Sequence, residues 1–192
     1  MAKIKEMFSD IPNPANLAPI TEEPVPDNAE PIVIVDKDKE AQTNSLQLMF
    51  KYDSTPENEK GFLPYMLEDY ITTLATSMLN ARFGETAQKP ETPYVSAGCY
   101  TGNYIFAKTK DAITFMATPK DGKTEEALAA VTKEAMRAVK YGFTATEYER
   151  AKANYMSSLE RMYTNRDKID SDNFGRACAY SCLCSTTWRT SR

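Results

Sequence analysis

The feature that most constrains the fold is residues 124–162, which read as two amphipathic helices separated by a single glycine. Thr124 is placed to cap the first helix, and Gly142 to end it in a left-handed backbone conformation. Thr144 and Glu147 then form the S/T-x-x-E pattern of a capping box, which starts the next helix at once. The apolar stripes are expected at Leu128, Val131, Ala135 and Val139 in the first helix, and at Tyr148, Ala151, Tyr155, Leu159 and Met162 in the second. Two such stripes predict a helical layer that covers another element.

The chain before this helix pair alternates between strand and helix patterns. Runs of β-branched residues or period-two alternation predict four strands, at 32–35, 46–52, 94–106 and 112–118. From Phe62 the apolar residues recur every three or four positions, which predicts a long helix that passes Arg82. The element order is therefore β-β-α-β-β-α-α. This order predicts an α+β fold, in which an antiparallel β-sheet is covered on one face by helices as a two-layer sandwich.

Changes in composition divide the chain into four segments. A short amphipathic helix, a proline-rich linker, the α+β domain and an irregular tail are expected at 1–12, 13–31, 32–172 and 173–192. A helix followed by such a linker is typical of the end of a preceding domain, which truncation has removed. The tail shows neither helical nor strand periodicity, so we expect a disordered or non-native segment in preference to an interaction tail.

The absence of histidine excludes several kinds of active site from this chain. Zinc-peptidase ligand sets, Ser-His-Asp triads and Cys-His dyads all require that residue. Of the four cysteines, Cys178, Cys182 and Cys184 crowd the tail without the spacing of a second ligand pair, and Cys99 lies in an expected strand as a small buried residue. The net charge of −4 gives no support to nucleic-acid binding, and no apolar run reaches the length of a membrane span.

Two loose motifs occur in the right order and spacing to carry a family resemblance. The first is G-F-T-x-x-E-Y-x-x-A-K, and its residues are Gly142, Phe143, Thr144, Glu147, Tyr148, Ala151 and Lys152. The second is a helix end followed by a strand, and its residues are Ser77, Met78, Leu79, Asn80, Ala81, Arg82 and Tyr94. Over about residues 3–170 the chain resembles the second, non-catalytic domain of the insulinase/pitrilysin family of zinc metallopeptidases.

The resemblance implies a supporting role in a larger peptidase. Such peptidases enclose unfolded peptides in a chamber between two halves, and an H-x-x-E-H site in another domain holds the zinc whose bound water attacks the peptide carbonyl. None of those residues is present here, so we expect no catalytic residue, no metal ligand and no cofactor in this chain. Its implied partners are the catalytic domain of the same parent chain and unfolded peptide. The parent's compartment stays open between periplasmic or exported and cytoplasmic.

Arg82 and Tyr94 are the two candidate peptide contacts that the resemblance implies. In the corresponding domain of the family's other half, an arginine seven residues before a tyrosine binds the substrate. The residue seven positions before Tyr94 is Ala87 in this chain, which departs from that pattern. From the residues alone, Arg82 is better explained by a helix C-terminus and Tyr94 by packing on a strand.

Two other functions stay open at the sequence level. One is a free-standing binding or assembly module derived from the same family, which the absence of H-x-x-E-H from the flanking gene sequence would favour. The other is an unrelated carboxylate enzyme, with Glu147 and Glu149 as the acid pair. Residues two apart on a helix diverge, and the capping box already accounts for Glu147, so the sequence gives this enzyme little support.

Overall fold

The computed structural model describes residues 2–10, 21–168, 170–173 and 175–176. Within these ranges the main elements are four helices, three strands and a short 3₁₀ turn, and residues 171–173 and 175–176 are also helical. In chain order they are α1 (Ala2–Phe8), β1 (Leu46–Asp53), α2 (Leu63–Ala87), β2 (Tyr94–Asn103), β3 (Lys110–Pro119), α3 (Thr124–Tyr141), α4 (Ala145–Asn165) and the turn Arg166–Lys168.

The three strands form an antiparallel sheet in the order β1-β3-β2. Phe115 of β3 is the centre of the covered face, with Leu48 of β1 and Cys99 of β2 as its lateral neighbours. The ring of Phe83 from α2 meets Phe115 edge to face at 6.5 Å. Helices α2 and α3 pack on this face around the fully buried Val131, and the expected α+β fold is confirmed.

Helix α2 packs on both the sheet and α4 because its apolar residues extend around much of its circumference. Leu79 and Phe83 turn to the sheet, whereas Leu74 and Met78 pack against Ala151 of α4. Proline can occupy the first turn of a helix, where no intrahelical N–H bond is lost, so Pro64 is tolerated there.

The helix pair that constrained the fold forms as the sequence indicates. Gly142 ends α3 with a φ of 67°, and its amide donates to the carbonyl of Ala138 at 2.8 Å. The capping box is complete at the start of α4, since the side chain and backbone of Thr144 and Glu147 bond reciprocally. The expected cap at Thr124 is wrong. Thr124 is the first helical residue of α3, and Lys123 occupies the N-cap position.

The expected strand at 32–35 is also wrong. These four residues form no regular secondary structure and have no strand partner, and their exposed fractions range from 67% to 90%. A β-branched run favours extended backbone, but a strand also needs a neighbouring strand to bond with. Residues 21–30 are mostly exposed and contact the chain at the start of β3, where Asp27 accepts from the Lys110 ammonium at 2.8 Å and Val25 donates its amide to the Thr109 side chain at 3.3 Å.

The expected apolar stripes are only partly buried. In α3 the buried residues are Ala127 and Val131, while Val139 lies 82% exposed. In α4 only Ala151 is buried, because α2 packs against just the first half of the helix. Strand β2 has a register shift between Tyr94 and Ser96.

Parts of three expected segments lie outside the described residues. Residues 11–20 include the end of the expected first helix and the first eight residues of the proline-rich linker, and residues 177–192 include most of the tail with Cys178, Cys182 and Cys184.

Candidate functional site

Arg82 joins three helices at one point in the structure. From α2, its Nε and Nη2 donate to the two carboxylate oxygens of Glu147 at 2.5 and 2.9 Å. Its Nη2 also donates to the carbonyl of Gly142 at 3.0 Å, and its Nη1 to Glu134 of α3 at 3.3 Å. The guanidinium lies over the ring of Phe143, 4.6 Å from the ring centre. Arg82 therefore satisfies the carbonyl end of α3 and the acidic start of α4 together.

The electrostatics of this junction favour the charged form of each partner. The hydrogen bond from Arg82, assisted by the backbone and side chain of Thr144, lowers the pKa of Glu147 to about 2. The hydrogen bond to Glu147 in turn raises the pKa of Arg82. With 11% of its side chain exposed, Arg82 is committed to internal partners. This arrangement stabilises the helix junction and leaves Glu147 unsuited to proton transfer near neutral pH.

Tyr94 forms the floor of a cleft of about 570 Å³ between the C-terminal end of α2 and one face of α3. It is 2% exposed, and half-buried Thr86 and Ala130 lie beside it. Burial raises the pKa of the Tyr94 phenol, so this group stays neutral at physiological pH. We call this space the α2–α3 cleft.

The rim of the α2–α3 cleft is positively charged. Lys89, Lys133, Arg137 and Lys140 line it, and Glu134 is the acidic side chain among the lining residues. Glu134 lies 3.3 Å from Arg82 on one side and 3.3 Å from Arg137 on the other, so its charge is neutralised. The cleft is therefore cationic within a chain whose net charge is −4.

Asn80 of α2 takes the place of a neighbouring strand at the outer edge of β2. Its amide nitrogen donates to the carbonyl of Cys99 at 2.9 Å, and its amide oxygen accepts from the Cys99 N–H at 2.7 Å. A Cβ at Gly98 would lie 3.2 Å from that oxygen, which explains the glycine beside Cys99. We call this pair of hydrogen bonds the Asn80 clamp. It satisfies backbone N–H and C=O groups that an edge strand otherwise leaves without a partner.

An apolar surface lies along the first half of α2 and the last half of α4. The two helices are antiparallel there, and Tyr70 meets Tyr155 edge to face at 5.3 Å. The stripe that buries Leu74 and Met78 continues at the same helical spacing toward the start of α2, and the stripe of Ala151 continues toward the end of α4. The continuing residues are 40–76% exposed, and we call them the α2–α4 face: Leu63, Leu67, Ile71, Leu159 and Met162.

The described residues offer no metal centre. Among them, no group of three or more Cys, Asp or Glu side chains is placed to hold an ion. Burial raises the pKa of the Cys99 thiol to about 11 and keeps it protonated, in accordance with its expected packing role. In the same ranges, no helix combines the length and apolar character that crossing a membrane would need.

The two candidate peptide contacts have different surroundings. Arg82 donates to Glu134 and is not among the residues that line the cleft, whereas Tyr94 lines the cleft together with Glu134. Sequence reasoning missed Glu134 and the Asn80 clamp. The signal for Asn80 was a polar amide within an otherwise apolar helix turn, one residue before the half-buried Ala81.

A known protein family matches most of this chain. The family model of the peptidase M16 inactive domain matches residues 1–155. A comparison with curated proteins finds no match.

Three solved structures share the fold. The periplasmic protease PqqL from Escherichia coli has 20% sequence identity and a TM-score of 0.65, over 77% of this chain and 16% of that one. The first half of PqqL has 19% identity and a TM-score of 0.65, over 77% of this chain and 31% of that one. A predicted insulinase family protease from Yersinia pestis has 15% identity and a TM-score of 0.68, over 94% of this chain and 38% of that one.

The chain thus spans less than two fifths of the length of each of these structures. At these identities the likeness shows the fold alone. The family model matches most of the chain, and it agrees with the resemblance drawn from the helix-Gly-helix motif. The chain therefore belongs to the peptidase M16 inactive-domain family.

Proposed function

We propose that this chain is the non-catalytic domain of an insulinase-like zinc metalloendopeptidase. It supports a catalytic domain, lines the chamber that holds unfolded peptide, and cleaves no peptide by itself. The described residues do not fit a zinc site, so we derive no step of the reaction through this chain. Direct contact of Arg82 and Tyr94 with peptide stays a prediction.

The observation that carries the proposal is the α2–α4 face. Leu67 and Ile71 stand at the same spacing as Leu74 and Met78, yet they are more than half exposed. Contiguous apolar surface of this kind marks a protein–protein interface in soluble proteins. A neighbouring domain would bury the uncovered halves of α2 and α4, as α2 and α4 bury each other in their covered halves.

Two solved structures support the identity of that neighbour. The proteins with this fold are described as a periplasmic protease and as an insulinase family protease, and each is more than twice as long as this chain. In the parent protein, the neighbour of this chain would be a domain that carries the H-x-x-E-H motif.

The test begins with the gene sequence on both sides of this segment. If it encodes an H-x-x-E-H segment, that segment is expressed together with residues 1–192, and cleavage of a quenched fluorescent peptide is measured. We expect no cleavage by residues 1–192 alone with added zinc, and chelator-sensitive cleavage by the pair. Leu67→Lys should weaken copurification of the two segments, whereas Val139→Lys, a change at a more exposed apolar residue on α3, should leave it unchanged.

Three results would contradict the proposal. Chelator-sensitive cleavage by pure residues 1–192 would show that this chain has its own active site. Equal copurification of the Leu67→Lys and Val139→Lys variants would show that the α2–α4 face is not the docking surface. A gene without an H-x-x-E-H segment would leave a free-standing binding or assembly module as the function.

A further inference from the structure

We infer that the α2–α3 cleft binds acidic segments of extended polypeptide. The inference rests on the proposed function for the source of that polypeptide, which is peptide held against this domain. It deepens the proposed function by naming a chemical class of peptide, and it can be tested on this chain alone.

The shape of the cleft suits an extended segment. The lining residues of α3 run along one helical stripe, from Ala130 through Lys133 and Arg137 to Tyr141. Eleven residue steps along a helix cover about 16 Å. An extended peptide advances about 3.3 Å per residue, so about five residues span the stripe.

The positive charges repeat at an interval that extended acidic peptides match. Lys133, Arg137 and Lys140 follow one another at steps of four and three residues, which correspond to about 6 and 4.5 Å along the axis. In an extended peptide, side chains on the same side recur about every 6.6 Å. Acidic residues at alternate positions can therefore each approach one cation.

The lysines of the rim are available to pair with an anionic ligand. Among the described residues, Lys89, Lys133 and Lys140 form no ion pair with a carboxylate. The carboxylate of Glu134 is shared between Arg82 and Arg137, so it does not repel an incoming acid as a free carboxylate would. Charge complementarity thus selects an anionic occupant.

The apolar part of the lining favours a polypeptide over a phosphate-rich ligand. Ala130, Met136 and Tyr141 separate the cations, and Tyr94 closes the floor. The Met136 and Tyr141 side chains are more than half exposed, so apolar side chains of a bound peptide can cover them. A free phosphate would leave these surfaces without a partner, and the net charge of −4 gives no support to nucleic-acid binding.

The experiment measures fluorescence anisotropy of a labelled peptide with purified residues 1–192. The peptide carries glutamate at alternate positions between leucine and alanine, and a matched peptide carries glutamine instead. The cleft variant is Lys133→Gln with Lys140→Gln. The control variant, Lys37→Gln with Lys39→Gln, makes the same change in net charge on an exposed loop.

We expect the glutamate peptide to bind at least about fivefold more tightly than the glutamine peptide. The cleft variant should lose about fivefold in affinity for it, and the control variant should match the wild type. Because the contacts are exposed ion pairs, binding should weaken with salt, and phosphate should compete no better than chloride at equal ionic strength.

Several outcomes would overturn the inference. Absence of binding, or equal affinity for both peptides, would remove the acidic selectivity. Equal losses in the cleft and control variants would show a general charge effect of the chain. Stronger competition by phosphate would assign the cleft to free phosphate or nucleic acid. The assay contains no catalytic segment, so its results can be interpreted even if the proposed function fails.

Discussion

Arg82 has the largest number of independent structural partners of any side chain discussed above. It holds Glu147, Glu134 and the carbonyl of Gly142, so α2, α3 and α4 meet on one cation. Removing such a residue takes one donor from each of two carboxylates and from the end of a helix. Breaking a largely buried ion pair in this way costs more than the pair itself contributes, because the remaining charges keep their desolvation penalty.

We predict that Arg82→Met lowers the free energy of unfolding by about 3 kcal/mol. The matched control is Arg150→Met, which removes the partner of Glu85 from an ion pair whose two side chains are 55% and 63% exposed. That change should cost less than about 0.5 kcal/mol. Urea unfolding followed by circular dichroism measures both values. Similar losses in the two variants would show that the junction contributes no more than an ordinary surface pair.

The ionisation of Glu147 adds a pH dependence at the same junction. Its pKa falls from an ordinary value of 4.5 to about 2 in the folded chain, chiefly through the hydrogen bond from Arg82. A depressed folded-state pKa contributes stability that is present above pH 4.5 and is lost as the pH falls toward 2. Glu147→Gln should therefore flatten the decline of unfolding free energy across that window. Glu149→Gln, an exposed change on the same helix, should keep the wild-type slope. If Glu147→Gln also kept the wild-type slope, the pH dependence could not be assigned to Glu147.

At the level of elements, β2 depends on α2 as well as on β3. The Asn80 amide occupies the bonding positions of Cys99 that face away from β3, so this stretch of the sheet edge is closed by a side chain. Gly98 fits the same purpose, because any side chain there would press on the Asn80 oxygen. Two hydrogen bonds, and the close approach that Gly98 permits by having no Cβ, thus fix the position of α2 relative to β2.

We predict that Asn80→Ala lowers the free energy of unfolding by about 2 kcal/mol, because it leaves two partly buried backbone groups unpaired. Amide hydrogen exchange at Cys99 should accelerate while exchange at the centre of β3 stays slow. Asn154→Ala, an exposed change in α4, serves as the control and should stay within about 0.5 kcal/mol of the wild type. Unchanged exchange at Cys99 would show that the clamp does not protect the edge.

At the level of the whole molecule, local signals predicted more than long-range ones did. The capping box of Thr144 and Glu147 was readable because its two residues lie three positions apart. The second partner of Glu147, Arg82, lies 65 positions away, and no pattern in one sequence specifies that contact. The strand expected at 32–35 fails for the same reason, since local β-propensity cannot supply a neighbouring strand. The α2–α3 cleft could not be predicted for the same reason, because its walls come from two helices that are separated in the sequence.

The α2–α4 face gives the last prediction, which concerns how much of the apolar stripe is free in solution. Leu67→Lys with Met162→Lys should reduce binding of the dye ANS by at least about half, because the dye reports exposed apolar surface. The free energy of unfolding should stay within about 0.5 kcal/mol of the wild type, since both side chains already face water. Phe83→Ala, a change at the fully buried ring against Phe115, should instead cost about 3–5 kcal/mol. If the lysine variant unfolds as easily as Phe83→Ala, the face is part of the core. If dye binding is unchanged, the face is covered in solution, and its role as the docking surface for a catalytic domain fails with it.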